Sequence, residues 1–333
     1  MSRAKSLKFV KDSVSLVGAS WSQGQTIPGV NRAPQEFRKA GLPKLLSQTL
    51  GYEVLDQGDI VPEGVDTSQI KGSFKFDSAK LRTLGELNRK LSDVVYQQAA
   101  LDRFNVVLGG DHSLATGSLH GQLRRHGDDL KVVWVDAHAD MNTLATSPSG
   151  NYHGMSLGHV LGLMSNTDVA GFEWLDRRLD PRNLVLIGIR DLDQGEIDFI
   201  KKLGIKYYTP YNIEDSGGIG NVMHEVVDHL DLKRNPTPVH VSFDVDGCDS
   251  SYVTAVGTPV DYGLTKRETS FILKHLYRTG CVVHLDVAET NTDLEQLARL
   301  KTHGDSPHIS TDIPTLFTAI EFVADALGNG SQL

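Results

Sequence analysis

Acidic residues and histidines occur in short clusters whose spacing suits the binding of a common ligand. The clearest cluster is Asp-Ala-His-Ala-Asp at 136–140, in which small alanines separate the functional side chains. Positions i, i+2 and i+4 of an extended chain lie on one face, so these three side chains are expected to converge. The groups of this kind are Asp111, His112, Asp136, His138, Asp140, Asp244, Asp246 and Glu289.

This combination of residue types predicts a metal site. Several carboxylates in one pocket repel one another unless cations neutralise them. Imidazoles and carboxylates without a thiolate suit a hard or borderline ion, above all Mn²⁺, with Zn²⁺, Co²⁺ or Fe²⁺ also compatible. Bridging carboxylates would hold two ions about 3.5–4 Å apart, and such a pair activates a water for hydrolysis. Cys248 is close in sequence, but Gly247 is expected to turn the chain so that Cys248 packs in the interior.

A simpler interpretation exists for any one of these segments. A single Asp-X-His sequence is more typical of a solvated loop end than of a metal site. Here two sets and the Asp111-His112 pair all follow strand-like sequences, which favours the metal site.

The elements that must position these residues are strands of a parallel sheet. Runs such as Lys-Val-Val-Trp-Val-Asp are nearly continuous in apolar residues, as expected for strands buried on both faces. Strands are predicted at 14–18, 105–109, 131–136, 183–190, 238–246 and 281–289. Helices are predicted at 78–103, 116–126, 195–203, 219–230, 265–278 and 311–327.

The alternation of strands and helices indicates an α/β fold with helices on both faces of the sheet. Ligands of such sheets bind beyond the carboxyl ends of the strands, which is where the acidic clusters stand. No linker, composition break or internal repeat divides the 333 residues, so a single domain over 1–333 is predicted.

Composition argues against several classes of protein. The formal net charge of −9 argues against a nucleic-acid partner or an anionic membrane partner. No apolar run approaches the roughly 18 residues of a membrane span. Two cysteines cannot form a disulfide framework, and the first residues lack the pattern of a secretory signal. A soluble, intracellular, globular protein is therefore predicted, and we expect it in the cytoplasm.

The motifs together resemble those of the ureohydrolase family, and within it the arginases. The resemblance extends from residues 18–25 to the last predicted helix. It implies a single three-layer α/β/α domain around a mostly parallel sheet, a homotrimer, and two Mn²⁺ per subunit. The segments that carry it are Gly109-Gly-Asp-His-Ser113, Asp136-Ala-His-Ala-Asp140, Ser242-Phe-Asp-Val-Asp-Gly247 and Gly257-Thr-Pro-Val260.

The resemblance also assigns metal ligands, with Asp136 and Asp244 bridging the two ions. One ion would be bound by His112, Asp136, Asp140 and Asp244. The other would be bound by His138, Asp136, Asp244 and Asp246.

The reaction implied by the resemblance is hydrolysis of L-arginine to L-ornithine and urea. A hydroxide shared by the two ions would attack the guanidinium carbon, and Asp140 would accept a hydrogen bond from it. Glu289 would hold the guanidinium, a role that suits a carboxylate facing a planar cation. His153 would carry the proton, because an imidazole titrates near neutral pH.

Two further segments resemble the parts of arginases that hold the amino-acid end of the substrate. The loop at 140–154 resembles the α-carboxylate site, and Arg190-Asp-Leu-Asp-Gln-Gly-Glu196 resembles the α-ammonium site. The predicted substrate-binding residues are Asn142, Ser149, Asn151, Asp193, Glu196 and Thr258. An ordinary turn is the alternative for residues 147–151, since all of them are good turn formers.

Two other functions remain open at this point. Another ureohydrolase, such as an agmatinase, would use the same metals on a substrate without the α-carboxylate, but the loop at 140–154 argues against it. A metal-free binding protein that keeps only the fold would be expected to lack ligands, and all six metal-binding residues are present.

Overall fold

The centre of the structure is a parallel β-sheet. The computed structural model describes residues 7–62, 77–294 and 314–329, and within them eight strands form one sheet in which every neighbouring pair is parallel. The strands are β1 Ser13–Ala19, β2 Glu53–Ile60, β3 Phe104–Gly109, β4 Lys131–Val135, β5 Leu184–Ile187, β6 Lys206–Tyr208, β7 Val239–Asp244 and β8 Val282–Ala288. Their order across the sheet is β2-β1-β3-β8-β7-β4-β5-β6.

All six predicted strands are present, and each ends within three residues of its prediction. The two strands that were not predicted, β2 and β6, lie at the two edges of the sheet. Strand β2 is largely exposed and rich in polar residues, and β6 has only three residues. Neither carries the continuous apolar run that marks a strand buried on both faces.

Ten α-helices accompany the strands in the described ranges. They are α1 Ala33–Lys39, α2 Leu42–Lys44, α3 Ser78–Ala100, α4 Ala115–His126, α5 Ser156–Val160, α6 Gln194–Leu203, α7 Pro210–Asp215, α8 Ile219–His229, α9 Lys266–Thr279 and α10 Pro314–Ala326. The six predicted helices correspond to α3, α4, α6, α8, α9 and α10, although 311–313 of the last prediction lie outside the described residues. The other four helices are too short to show a helical period. None of the described helices is long and apolar enough to cross a membrane.

Helices cover both faces of the sheet, which confirms the predicted α/β fold. Side chains of β4 alternate between the two faces: Val133 and Val135 belong to one core and Trp134 to the other. The first core includes residues of α1, α8, α9 and α10, and residues of α3, α4, α5 and α6 pack on the opposite face. A fully buried aliphatic side chain contributes about 1.5–3 kcal/mol, so these two cores hold the strand ends in place.

The acidic clusters lie in tight turns just after the strands and not in extended chain. In three turns the first carboxylate accepts a hydrogen bond from the backbone N–H two residues on, which is an Asx turn. These bonds run to Asp111 from Ser113 N (3.1 Å), to Asp136 from His138 N (2.7 Å) and to Asp244 from Asp246 N (2.9 Å). Asp140 has a φ of +51°, another departure from extended geometry. The expectation of an extended chain is therefore wrong, and turns produce the convergence.

Candidate metal centre and substrate pocket

The carboxyl ends of strands β3, β4, β7 and β8 bring the predicted ligands to one end of the sheet. The imidazole of His112 is at the centre of the first cluster and is almost completely buried. Its Nδ1 lies 3.0 Å from Asp136 Oδ2, 3.1 Å from Asp140 Oδ2 and 3.2 Å from Asp244 Oδ2. These separations are those of atoms around a common ion, because ligands at about 2.0–2.2 Å from a metal are about 3 Å from one another.

Two further contacts fix the orientation of the His112 ring. The ring stacks on Trp134 with centroids 4.2 Å apart, and Nε2 forms a hydrogen bond of 2.9 Å with Ser242 Oγ. The tautomer in which Nε2 donates to Ser242 Oγ would leave the Nδ1 lone pair free, and that tautomer can bind a metal. No role at the site was predicted for Trp134 or Ser242, although both lie in strands that lead to predicted ligands.

His138 forms a second cluster that shares Asp136 with the first. Its Nδ1 lies 3.4 Å from Asp136 Oδ1 and 3.3 Å from Asp246 Oδ2. The two oxygens of Asp136 therefore face the two imidazoles, which is the arrangement expected of a bridging carboxylate. Asp244 contacts the first cluster through Oδ2, whereas its Oδ1 accepts the backbone bond from Asp246. Bridging by Asp244 stays a prediction.

The residues present fit a pair of divalent cations. Nδ1 of His112 is buried and has no hydrogen-bond partner among the described residues, although three carboxylates surround it. Burial and the charge of Asp136 raise the pKa of Asp140, and burial together with Asp246 and Asp136 raises that of Asp244. Buried carboxylates that disfavour each other's ionisation in this way are stabilised by a shared cation.

Glu289 and His153, which are predicted to hold the guanidinium and to carry the proton, meet beside the first cluster. Glu289 Oε1 accepts one hydrogen bond from His112 N and another from His153 Nδ1, each 2.9 Å long. Glu289 directly follows β8 and has a φ of +62°, so the turn out of the strand directs its side chain. Burial opposes protonation of His153, but Glu289, Asp140 and Asp111 outweigh it and raise the pKa of His153 to about 9.

The raised pKa of His153 predicts a pH-dependent stability of the metal-free protein. A group with a raised folded-state pKa stabilises the fold fully below its unfolded value, here 6.5, and this stabilisation is lost as the pH passes about 9. We expect the free energy of unfolding to fall by on the order of 1–3 kcal/mol across that window. Denaturant titrations in the presence of a chelator measure it. The His153→Asn variant should show a flatter pH dependence, and an identical slope in both proteins would contradict the assignment.

A cavity of about 230 Å³ opens beside the two clusters, which is room for one small molecule. All six predicted substrate-binding residues line it, together with His153 and ligands from both clusters. Its wall includes Ser147, Pro148 and Ser149 of the loop at 140–154. The residues predicted from four separate segments of the sequence therefore share one pocket.

Polar residues of the pocket hold one another in defined positions. Asn142 Nδ2 donates to Asp193 Oδ2 at 2.8 Å, and Asp246 Oδ2 accepts from Thr258 Oγ1 at 2.9 Å. Glu196 accepts backbone bonds of 3.0 Å from Met141 N and Asp193 N. Burial outweighs these bonds and raises the pKa of Glu196 to about 7. Glu196 therefore supports Asp193, and a direct contact of Glu196 with substrate stays a prediction.

Cys248 and a third cluster, which consists of two histidines and one aspartate, lie outside the pocket lining. The Cys248 side chain is buried in the core and contacts Thr269, so the expectation that it packs in the interior is confirmed. Two histidines, His240 and His284, bond to Asp286 at 2.8 and 2.6 Å behind the metal clusters. The sequence-based reasoning missed this cluster, although alternate polar residues in β7 and β8 signal it.

Comparison with known proteins gives the family. Residues 12–303 match the Arginase family. Arginase-1 of Mus musculus is 42% identical over 86% of this chain and 87% of its own length. Arginase of Plasmodium berghei is 36% identical over 96% and 94%. The crystal structure of arginase from Bacillus cereus has a TM-score of 0.79 at 33% identity, covering 95% of this chain and 98% of that one.

The chain belongs to the arginase family. It is an enzyme of that family, a hydrolase. Among its described residues, three clusters of histidine and aspartate could hold a metal ion, and the two that share Asp136 border the cavity.

Proposed function

We propose that the protein hydrolyses L-arginine to L-ornithine and urea at a pair of manganese ions. The observation that carries this proposal is that two clusters that could hold metal ions share Asp136 and border one cavity, and all six predicted substrate-binding residues line it. The names of the relatives support the same substrate. The chemistry of the donors suits Mn²⁺, and we propose two ions per chain.

The metal ligands in this proposal are those predicted from the sequence. His112, Asp136, Asp140 and Asp244 would hold one ion, and His138, Asp136, Asp244 and Asp246 the other. When bound, the two ions supply a water that is deprotonated near neutral pH and positive charge for the developing intermediate. Asp140, on the cavity wall, would orient that water through a hydrogen bond.

Glu289 would bind the guanidinium group. Its Oε1 is occupied by His112 N and His153, while Oε2 accepts no hydrogen bond from the described residues. A planar cation could pair with this second oxygen, and the bonds at Oε1 would hold the carboxylate in a fixed orientation. His153, on the wall of the same cavity, would donate a proton to the leaving amine of ornithine.

Replacing His153 by asparagine is expected to lower turnover while leaving metal binding nearly unchanged. General acid–base groups contribute about 10²–10⁴-fold to the rate, and His153 is not among the proposed ligands. Steady-state kinetics and manganese titration of the same sample measure the two effects. A pH–rate profile with unchanged height and shape would show that His153 does not carry the proton.

The polar groups at the mouth of the pocket would recognise the amino-acid end of the substrate. Asn151 and Ser149, with the second amide hydrogen of Asn142, would donate to the α-carboxylate. Asp193, oriented by Asn142 and Glu196, would accept from the α-ammonium group. Thr258 would act at the metal end, where it bonds to Asp246.

An agmatinase-type activity is the second candidate, because agmatine keeps the guanidinium group and lacks only the carboxylate. Urea release from L-arginine and agmatine, measured side by side with added manganese, distinguishes the two. We expect a strong preference for arginine, and equal or greater activity on agmatine would contradict the proposal.

We also propose that the chain is one domain over 1–333, forms a homotrimer and acts in the cytoplasm.

A further inference from the structure

The side chain of Arg190 lies beside the metal clusters and is surrounded by main-chain oxygens. The five N–H groups of its guanidinium donate to six oxygens at 2.7–3.2 Å, so at least one N–H is shared between two acceptors, and all three nitrogens take part. The acceptors are the carbonyl oxygens of Gly188, Asp246, Gly247, Cys248, Val260 and Asp261. Three of these carbonyls belong to the turn that carries the predicted ligand Asp246.

The backbone at Arg190 is tied to the other ligand segment. The amide nitrogens of Arg190 and Asp191 both donate to Ala137 O, at 2.7 and 3.1 Å. Ala137 lies between the ligands Asp136 and His138, and its own N–H donates to Asp246 Oδ1 at 3.3 Å. Arg190 therefore bonds to both segments that supply the His138 cluster, through its backbone to one and through its side chain to the other.

The loop at 260–263 lies tightly over the guanidinium. A Cβ atom on Gly263 would be 2.6 Å from Arg190 Nη2, so no other residue fits there without displacement. The preceding residue, Tyr262, has a φ of +62°, a conformation that costs a residue other than glycine about 1–3 kcal/mol. Such strain persists only where the surroundings fix the chain, and the bonds from Arg190 to Val260 and Asp261 do so.

We propose that Arg190 is a positioning residue for the metal ion on the His138 side of the pair. It would fix the Asp246–Cys248 turn against the Asp136–His138 segment and so set the distance between Asp246, Asp136 and the His138 imidazole. The His112 cluster contains Asp140 and Asp244 and does not contain Asp246, so it depends less on this turn. The inference rests on the proposed metal pair.

The geometry of the guanidinium matters here as well as its charge. The negative charges of Asp246 and Asp136 act on Arg190, and its positive charge in turn reduces their repulsion. A lysine would keep that charge, but an ammonium group has three donors and cannot reach six carbonyls arranged around a planar fork. Lysine at this position is therefore expected to behave like an uncharged residue.

The test is equilibrium dialysis of Mn²⁺ against the full-length chain, with wild type, Arg190→Met and Arg190→Lys compared. We expect two bound ions in the wild type. In both variants the affinity for one ion should fall by about 10–100-fold, as is typical when a group that supports metal ligands is lost. The affinity for the other ion should change by less than about threefold. Arg38→Met is the matched control, because Arg38 also binds several acceptors, but at Asp56 and Asp59 far along the sheet.

The His138→Ala background identifies the site affected. This substitution leaves only the His112 cluster, so adding Arg190→Lys should change the remaining affinity little. Wild-type affinities in both Arg190 variants, an equal loss at both sites, or the same loss in Arg38→Met would overturn the role of Arg190. A wild type that binds no manganese would instead contradict the proposed function itself. If Arg190→Met does not fold, Arg190→Lys decides alone.

Discussion

Replacing Asp136 by alanine is expected to abolish arginine hydrolysis and remove most of the bound manganese. Asp136 is the carboxylate whose two oxygens face both imidazoles, at 3.0 Å from His112 and 3.4 Å from His138. Its loss would take a proposed ligand from both ions at once. We expect activity to fall at least ~10³-fold, equivalent to about 4 kcal/mol of transition-state stabilisation. Metal analysis and urea formation measured on one sample test this.

Two companion variants separate loss of charge from loss of structure. Asp136→Asn keeps an oxygen that can accept from Trp134 Nε1 or from His138 N, as the carboxylate does at 2.9 and 2.7 Å, but it cannot bridge two cations. It should fold and still lose metal. Asp129→Ala removes an exposed carboxylate before the opposite end of β4 and should change neither property. Near-normal metal content and activity in Asp136→Ala would exclude the shared-ligand arrangement.

Substituting Asn151 by alanine is expected to reduce the preference for arginine over agmatine. In the wild type, agmatine would leave the groups proposed to bind the α-carboxylate unpaired. Sites built to hydrogen-bond a group that the substrate lacks discriminate by roughly 10⁴-fold or more. The loop lies at the mouth of the pocket, where water can compensate part of the loss, so we expect about 10²–10³-fold. Asn151 is partly buried, and its Oδ1 has no hydrogen-bond partner among the described residues.

The measurement is kcat/KM for both substrates in wild type and Asn151→Ala. The variant should lose much more activity on arginine than on agmatine. Asn221→Ala, an exposed asparagine on α8, serves as the control and should leave both values unchanged. An equal loss on both substrates would show that Asn151 does not act on the carboxylate end.

The ligand clusters are predictable from the sequence because each follows an apolar strand. The carboxyl ends of parallel strands meet at one end of a sheet, so residues as distant along the chain as His112 and Glu289 are expected to lie together. The same reasoning gave the wrong local geometry. It assumed extended chain at Asp136–Asp140, whereas the carboxylate of Asp136 folds its own backbone into an Asx turn.

Other features depend on contacts that no local pattern reveals. Strand β2 is polar and exposed, so only its pairing with β1 identifies it. In the sequence, Asp193 and Glu196 look like an ordinary start of a helix. The hydrogen bond from Asp193 N to Glu196 Oε2, which fixes Asp193, therefore cannot be recognised as part of the pocket. The six carbonyl acceptors of Arg190 come from three segments up to 71 residues away. No sequence pattern around Arg190 predicts these contacts.

The central claim is metal-dependent hydrolysis of L-arginine, and product analysis tests it most directly. The purified chain is stripped with a chelator, divided, and assayed on L-arginine with and without added Mn²⁺, while urea and L-ornithine are both quantified. The account predicts equal amounts of the two products with manganese and none above background without it. Urea formation that is equally fast in the stripped protein, or no urea from arginine after manganese is restored, would contradict the account.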